Sequence, residues 1–196
     1  MSVIGSEPAS RLVERIRAVL LQPRPTWAVI ETESATIEGL YRGYVMPLAA
    51  IIPVILFLWS ALLSPLVGFG APLALVGALL DLIVSYLIAL AGVYVFAWIA
   101  DQLAGSFGAT RGLLPAFKVG AYGMTAVWVS GLCLLVPIVG PLCVVAGGLY
   151  SIWLIHLGLK QLMKSAPDKA VLYTAVSIIG TALVVAAANA ILEALV

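Results

Sequence analysis

One stretch of this chain constrains its fold more than any other: the 41 residues between Lys118 and Lys160 contain no Asp, Glu, Lys or Arg. A membrane-spanning helix needs about 20 apolar residues, so this stretch is long enough for two. Pro137, Gly140 and Pro141 lie near its middle, and prolines with a glycine are typical of a tight turn. We therefore predict two transmembrane helices that are joined by a short, uncharged turn at these three residues.

The composition of the whole chain favours a membrane protein over a soluble domain. Of its 196 residues, 63% are hydrophobic and 10% are charged, whereas soluble domains carry about 25% charged and about 45–50% apolar residues. A soluble core of this size could not bury so much apolar surface, but lipid can surround it. The formal net charge is +1 and no dense basic patch exists, so nucleic acid is not expected as a partner.

The charge-free segments predict an all-α, polytopic membrane protein with five transmembrane helices. We place the spans at about residues 44–64, 72–103, 114–136, 141–163 and 170–195. Pro47 and Pro53 lie inside the first span, where we expect a kink and not a break, because membrane helices tolerate proline. The second span is longer than a bilayer core requires, so it should tilt or protrude.

Residues 1–42 form an amphipathic region ahead of the spans. Leu12, Ile16 and Val19 fall on one helical face, and a second amphipathic piece contains Trp27. A basic amphipathic helix with a tryptophan is typical of the lipid headgroup layer. Packing on the cytosolic ends of the spans is the alternative, and the two interpretations have equal weight. Charged residues occupy the place of a signal-peptide core, so we expect no cleaved signal.

The positions of the basic residues predict how the spans are oriented. All ten Lys and Arg residues lie before the first span or beside the loops between spans two and three and between spans four and five. Cytoplasmic loops carry an excess of Lys and Arg, so this side should face the cytoplasm. The N-terminus is then cytoplasmic and the C-terminus lies outside.

Several short motifs resemble the bacterial Yip-one (Yip1) domain proteins, from about Leu21 to the C-terminus. The motifs are Leu21-Gln-Pro-Arg-Pro-Thr-Trp-Ala-Val-Ile-Glu31, Tyr44-Val-Met-Pro-Leu-Ala49, Val136-Pro-Ile-Val-Gly140 and Gly148-Leu-Tyr-Ser-Ile-Trp-Leu-Ile-His-Leu-Gly-Leu-Lys-Gln-Leu-Met163. They occur in the family's order at plausible spacing. The resemblance implies an integral membrane protein with five spans, and the bacterial branch implies the inner membrane.

The same resemblance implies less about activity. Eukaryotic members of the family are associated with Rab-type GTPases, vesicle budding and the shape of organelle membranes. This chain lacks their long cytosolic N-terminal domain and their Asp-Leu-Tyr-Gly-Pro motif, which argues against a small-GTPase partner. The family therefore supplies an architecture more than a function.

Two ionisable residues inside the predicted spans are candidates for function. Asp81 lies in the outer part of span two, and an intramembrane carboxylate is costly unless it is paired or hydrated. The structural alternative for Asp81 is a place near the outer interface or a protonated group bonded to a hydroxyl. His156, the only histidine, could relay protons, although an interhelical hydrogen bond is the simpler explanation. The predicted topology places these two residues in opposite leaflets, so a direct pair is not expected.

Four other polar residues form two predicted pairs. Asp101 and Lys118 should both lie at the cytoplasmic interface, where we expect an ion pair. Cys133 and Cys143 lie near the outer ends of the central hairpin and could approach each other in an oxidising compartment. Buried apolar cysteines are the simpler interpretation of this pair.

Small residues predict where the helices pack closely. Gly147 and Gly148 begin no phosphate-binding motif and lie inside a span. Ala182, Ala186 and Ala190 recur at four-residue spacing in span five, and such a ridge lets helix backbones approach each other in lipid. We expect both groups at helix contacts.

No nucleophile–base arrangement, metal-ligand cluster or cofactor motif is visible, so we expect no enzymatic activity, no metal and no cofactor. The first hypothesis is a scaffold or adaptor in membrane organisation or trafficking-like processes, acting through helix packing and the N-terminal region. Its partners would be the lipid bilayer and another membrane protein or a second copy of the chain. The alternative is a small oligomeric transporter or channel that uses Asp81 or His156.

Overall fold

The computed structural model describes residues 8–67 and 71–195, with side chains described for residues 9–62 and 75–191. Every regular element within these ranges is helical, as the all-α prediction requires. The α-helices are α1 (Pro8–Leu21), α2 (Pro23–Thr32), α3 (Ile37–Leu40), α4 (Met46–Ala49), α5 (Ile51–Val67), α6 (Ala71–Leu103), α7 (Leu113–Gly123), α8 (Thr125–Ser130), α9 (Gly140–Leu162) and α10 (Ala170–Leu195). A π-helical turn occupies Tyr41–Val45, and 3-10 helices occupy Ala104–Phe107 and Gly131–Leu135.

The described chain contains five segments that are long and apolar enough to cross a membrane. They are Ile37–Leu62, Leu75–Phe107, Leu113–Leu135, Gly140–Leu162 and Ala170–Ile191. The prediction of five spans is confirmed. More than half of the central residues of the third span are buried inside the protein, against a third or fewer in each of the others. The third span is therefore the centre of the bundle.

The first span begins at Ile37, earlier than predicted, and changes helical type at its prolines. Pro47 has no main-chain N–H, and just before it the Met46 N–H bonds to the Tyr41 carbonyl five residues earlier, which is a π-helical bond. The α-helix is interrupted again at Ala50, because Pro53 cannot donate to the carbonyl four residues earlier. The span nevertheless continues, as a kinked helix would.

The third span was predicted as one helix but is divided into α7, α8 and a 3-10 helix. The Thr125 hydroxyl donates to the carbonyl of Tyr122 at 2.6 Å, and the Ser130 hydroxyl donates to that of Val127 at 2.9 Å. Such side-chain bonds compete with the main-chain ladder of a helix. The irregularity lies in the most buried span, where neighbouring helices can satisfy the released backbone groups.

The turn between the third and fourth spans lies where the sequence predicts it. The Gly140 N–H bonds to the Val136 carbonyl at 2.8 Å, and α9 begins at Gly140 with Pro141 in its first turn. Proline suits this position because the first N–H groups of a helix have no intrahelical partner. A Cβ atom at residue 140 would lie 2.5 Å from the Leu134 Cα atom, so only glycine fits.

The two adjacent glycines of α9 have different surroundings. A Cβ atom at Gly147 would lie 2.2 Å from Ser130 Oγ and 2.8 Å from the Ala126 carbonyl oxygen, so this glycine does lie at a close helix contact. A Cβ atom at Gly148 would meet no atom within 4 Å. The packing role expected of Gly148 is therefore wrong.

The alanine ridge of α10 does not pack inside the chain. Ala182, Ala186 and Ala190 are all exposed on the surface of the bundle. The helix instead packs through a different face, which buries Tyr173 and Ser177. The helix contact expected of this ridge is therefore not found within the single chain, because a different side of α10 makes the contacts.

The N-terminal helices and two loops meet at one end of the bundle. The Thr110 N–H donates to the Met163 carbonyl at 2.7 Å, which joins the loop after α6 to the loop after α9. Lys164 in the second of these loops forms an ion pair with Glu31 of α2. This grouping matches the sequence-based placement of the same segments on one side of the protein.

Candidate functional site

Trp27 holds the N-terminal helices against the bundle. It is only 2% exposed, and its ring makes an edge contact with Tyr122, with the ring centroids 6.3 Å apart. The indole also covers Gly158 of α9, where an added Cβ atom would lie 2.9 Å from the ring. Residues 1–42 were expected either to lie in the lipid headgroup layer or to pack on the ends of the spans. In the described part of this region, the helices pack on the spans. Trp27 is a core residue and not an interfacial anchor.

Lys118 of α7 binds the C-terminal end of α2. Its ammonium group donates to the carbonyl oxygens of Ile30 at 2.8 Å and Glu33 at 2.6 Å, and the residue is only 6% exposed. The last carbonyl groups of a helix lack main-chain donors, and the helix dipole places partial negative charge there. A buried cation is thus compensated by backbone groups of the N-terminal helices.

Asp101 and Lys118 were expected to form an ion pair, but each has another partner. Asp101 Oδ1 accepts a hydrogen bond from the Gly112 N–H at 2.7 Å, within the loop that follows α6. The ion pairs recorded between described residues do not join Asp101 to Lys118. The expected ion pair is absent because the backbone supplies a partner to each charged side chain. The pattern of charged residues in the sequence does not show which backbone groups are available.

Two ion pairs surround this buried contact at the rim of the bundle. Arg15 of α1 pairs with Glu33, and Lys164 pairs with Glu31. Gln161 also donates to Glu31 at 2.5 Å. The hydrogen bonds from Lys164 and Gln161 hold the pKa of the Glu31 carboxyl below its ordinary value of 4.5. These contacts link both N-terminal helices to each other and to the end of α9.

A cleft of about 520 Å³ lies between α1 and the beginning of the first span. Arg11 and Arg15 line one side, and Tyr44 and Tyr122 line the other. The guanidinium carbon of Arg15 lies 5.8 Å from the centre of the Tyr122 ring, within the range of a cation–π contact. Glu33 compensates the charge of Arg15, one of the two arginines that line the cleft.

His156 forms the interhelical hydrogen bond that was its simpler interpretation. Its Nδ1 atom lies 3.2 Å from the Thr174 hydroxyl oxygen of α10. The same hydroxyl lies 2.8 Å from the Ala170 carbonyl oxygen, and if it donates there, the histidine Nδ1–H is the donor to Thr174. The contact joins α9 to α10 near the end of the bundle that carries the N-terminal helices.

Asp81 lies on the outer surface of α6. Its side chain is exposed, and so are the neighbouring apolar side chains of Leu80, Ile83 and Val84. The hydrogen bonds of the described residues do not connect Asp81 to His156, which is engaged at the contact between α9 and α10. These two candidates therefore do not form one site within a single chain.

Cys133 and Cys143 approach each other across the turn of the central hairpin. Both are free thiols and half-buried, and they lie close enough to affect each other electrostatically. Within the ranges that the structure describes, no three His, Cys, Asp or Glu side chains come together as a metal site would require.

An apolar cavity of about 360 Å³ lies inside the bundle between α6, α7, α8, α9 and α10. Large apolar side chains form most of its wall, including Phe96, Met124, Trp128, Ile155 and Ile178. The open side of Gly148 faces this space, which explains why a Cβ atom there would meet no neighbour. The cavity could not be predicted from the sequence, because its presence depends on how far apart the helices lie.

The contact between Lys118 and α2 was also missed by sequence reasoning. A lysine inside an otherwise apolar span was the available signal, because a buried cation needs several acceptors. Buried acceptors were not expected, because Lys118 was placed at the membrane interface, where water can solvate a cation.

The comparisons with known proteins identify the family. The family model of the Yip1 domain matches residues 17–189, which include α2 to α9 and most of α10. The chain belongs to the Yip1 domain family. No curated protein and no solved structure matches the chain significantly.

Proposed function

Because the chain is a Yip1-domain membrane protein, we propose that it is a non-enzymatic scaffold or adaptor in membrane organisation or trafficking-like processes. The observation that carries this proposal is the docking of α2 onto the bundle through Trp27 and Lys118, together with the hydrogen bond that the Tyr150 hydroxyl of α9 donates to the Leu20 carbonyl of α1 at 2.7 Å. A segment held in place by buried contacts presents a preorganised surface, and preorganisation lowers the entropic cost of binding a partner.

The outward face of α1 is the surface that we assign to the partner. Val13, Arg17 and Leu21 recur at four-residue spacing and are exposed, with Val13 at 63% and Leu21 at 67%. The opposite face holds Val19, which is 1% exposed. An apolar face with a central cation fits a partner helix that carries apolar and acidic residues. We assign this partner to another membrane protein.

The polar groups of the spans support a scaffold better than a transport path. His156 is hydrogen-bonded between two helices, and the wall of the central cavity is almost entirely apolar. Asp81 lies on the outer surface, so it could line a path only between copies of the chain. Transport through Asp81 would therefore require an oligomer, and the contacts of the described residues do not point to one.

The scaffold would lie in the bacterial inner membrane with the docked helices in the cytoplasm and the C-terminus outside. The grouping of the N-terminal helices with the two basic loops at one end supports this orientation. Fusions of the C-terminus to a reporter that is active only in the cytoplasm should be inactive. An active fusion would overturn the proposed orientation.

The proposed function is tested by chemical cross-linking in native membranes followed by purification of the chain. We expect a specific partner with the unmodified chain, and loss of that partner when Val13→Glu and Leu21→Glu are combined. As a control, Ala28→Glu places one such charge on an exposed position of α2 and should retain the partner.

Two results would contradict the scaffold. The first is partner capture that is equal with and without the Val13→Glu and Leu21→Glu changes in a folded protein. The second is a solute or ion flux in reconstituted liposomes that Asp81→Asn abolishes. The second result would instead support the oligomeric transporter.

A further inference from the structure

The central cavity lies at the middle of the membrane-spanning segments. Met124 is the middle residue of the span Leu113–Leu135, and Ser151 is the middle residue of the span Gly140–Leu162. Both residues line the cavity. The cavity is therefore at the depth of the hydrocarbon core, where the molecules available to fill it are lipid chains.

Few polar groups lie on the wall of the cavity, and its two hydroxyl groups both have partners inside the protein. The Ser151 hydroxyl oxygen accepts a hydrogen bond from the Val127 N–H at 3.1 Å. The Thr181 hydroxyl donates to the Ser177 carbonyl at 2.7 Å. Of the other lining residues, Trp128 carries one polar group, its indole N–H, and the rest are apolar or are glycines. An occupant of this cavity must therefore be largely apolar, because a polar one would leave most of its own groups unpaired.

The mouth of the cavity lies between α9 and α10. Of the residues that line the cavity, the exposed ones are Ile152 of α9 and Ala182 of α10. The two helices are fastened to each other by the hydrogen bond between His156 and Thr174, nearer the end with the N-terminal helices. Farther along the two helices from that hydrogen bond, Ala182 has a small side chain and Gly148 has none. The two residues leave a gap that opens towards the surrounding lipid.

The volume of the cavity matches a single hydrocarbon chain. A 150 Å³ apolar cavity in another protein holds benzene, so 360 Å³ corresponds by proportion to about 14 carbon atoms. That is the scale of one lipid chain and too little for two. We propose that the cavity is a binding site for one acyl chain of a bilayer lipid, which enters between α9 and α10. The proposal does not depend on the scaffold function.

A photoreactive phospholipid tests this site directly. The full chain is reconstituted into phosphatidylcholine vesicles that contain a small fraction of phosphatidylcholine with a diazirine on one acyl chain. After illumination, peptide mass spectrometry locates the adducts. We expect adducts on Trp128, which is only 4% exposed and which lines the cavity. Leu149, which is 66% exposed on α9, reports the ordinary contact with bulk lipid.

A matched pair of variants assigns the adducts to the cavity. Gly148→Phe places a ring in the open space, and we expect it to reduce the Trp128 adducts about tenfold or more, which is a change of about 1.4 kcal/mol in occupancy. Ala146→Phe places the same ring on the exposed side of α9 and should leave them unchanged. Adducts on Leu149 should persist in both variants. If Gly148→Phe does not fold, Ala182→Phe fills the mouth from α10 and replaces it.

Two outcomes would overturn the proposal. One is an unmodified chain that is labelled at Leu149 but not at Trp128, which would mean that no chain enters. The other is Trp128 labelling that persists at full strength when the cavity is filled, which would mean that the label arrives by another route. The capture of a partner by α1 is measured separately, so neither outcome bears on the scaffold.

Discussion

The Lys118 ammonium group lies 2.8 Å from the carbonyl oxygen of Ile30, a residue 88 positions earlier in the chain. A second bond, to the carbonyl of Glu33, places the same cation at the last turn of α2. The contact joins the N-terminal region to the third span, which is the centre of the bundle. The N-terminal helices are therefore part of the folded domain.

Replacing this cation should release α2 from the bundle. Lys118→Met retains much of the side-chain length but removes the donor to the buried Ile30 carbonyl and to the partly buried Glu33 carbonyl. We expect a loss of about 2–3 kcal/mol in the stability of the docked helices. Amide hydrogen exchange in α2 should become faster while exchange in α9 changes little. Lys160→Met, at an exposed lysine of α9, is the control. Equal protection of α2 in both variants would contradict the capping role.

Trp27 should contribute through its volume and not through its N–H group. The indole nitrogen is buried and has no hydrogen-bond partner among the described residues. Trp27→Ala should cost about 3–5 kcal/mol because it leaves a cavity against Gly158. Trp27→Phe should cost much less, since no hydrogen bond is lost. Denaturant unfolding in detergent, followed by circular dichroism, measures both; similar losses for the two variants would argue against this account.

The adjacent glycines of α9 should respond in opposite directions to the same change. Gly147→Ala places a methyl group against Ser130 and the Ala126 carbonyl, and overpacking of this kind costs about 1–3 kcal/mol. Gly148→Ala meets no neighbour and gains helix propensity of up to about 1 kcal/mol. Thermal unfolding of the two purified variants gives the comparison. A lower melting temperature for the residue-148 variant than for the residue-147 variant would refute it.

The linkage of α2 to the end of α9 should weaken in acid. Hydrogen bonds from Lys164 and then Gln161 lower the pKa of Glu31, so this carboxyl contributes stability that is fully present above its unfolded value near 4.5. That stability is lost as the pH falls below 4.5 and through the folded pKa. Glu31→Gln should remove this part of the pH dependence.

The measurement for Glu31 is the melting temperature of the protein in detergent between neutral pH and pH 3. The unmodified chain should lose its advantage over Glu31→Gln as the pH falls, and the two should converge in acid. Glu14→Gln changes an exposed glutamate of α1 and serves as the control. A constant difference between the chain and Glu31→Gln at all pH values would exclude the proposed linkage.

The spans could be predicted from the sequence because lipid imposes a simple requirement of length and apolarity. The turn at Gly140 was also predictable, since its residues identify it locally. The partners of Lys118 and Asp101 were not predictable, because backbone carbonyl and N–H groups are present at every residue. The central cavity could not be predicted for a related reason. Gly147 and Gly148 look alike in the sequence, and only the positions of the other helices show that Gly147 is closely packed while Gly148 faces the cavity.

The third span is the least apolar of the five and also the most enclosed by its neighbours. A segment of this kind has little tendency to remain in lipid alone, particularly with a charged group at Lys118. We therefore expect its neighbours to contribute much of what holds it in the bilayer. The acceptors for Lys118 lie at the end of α2, so the N-terminal helices compensate the buried cation of the least apolar span.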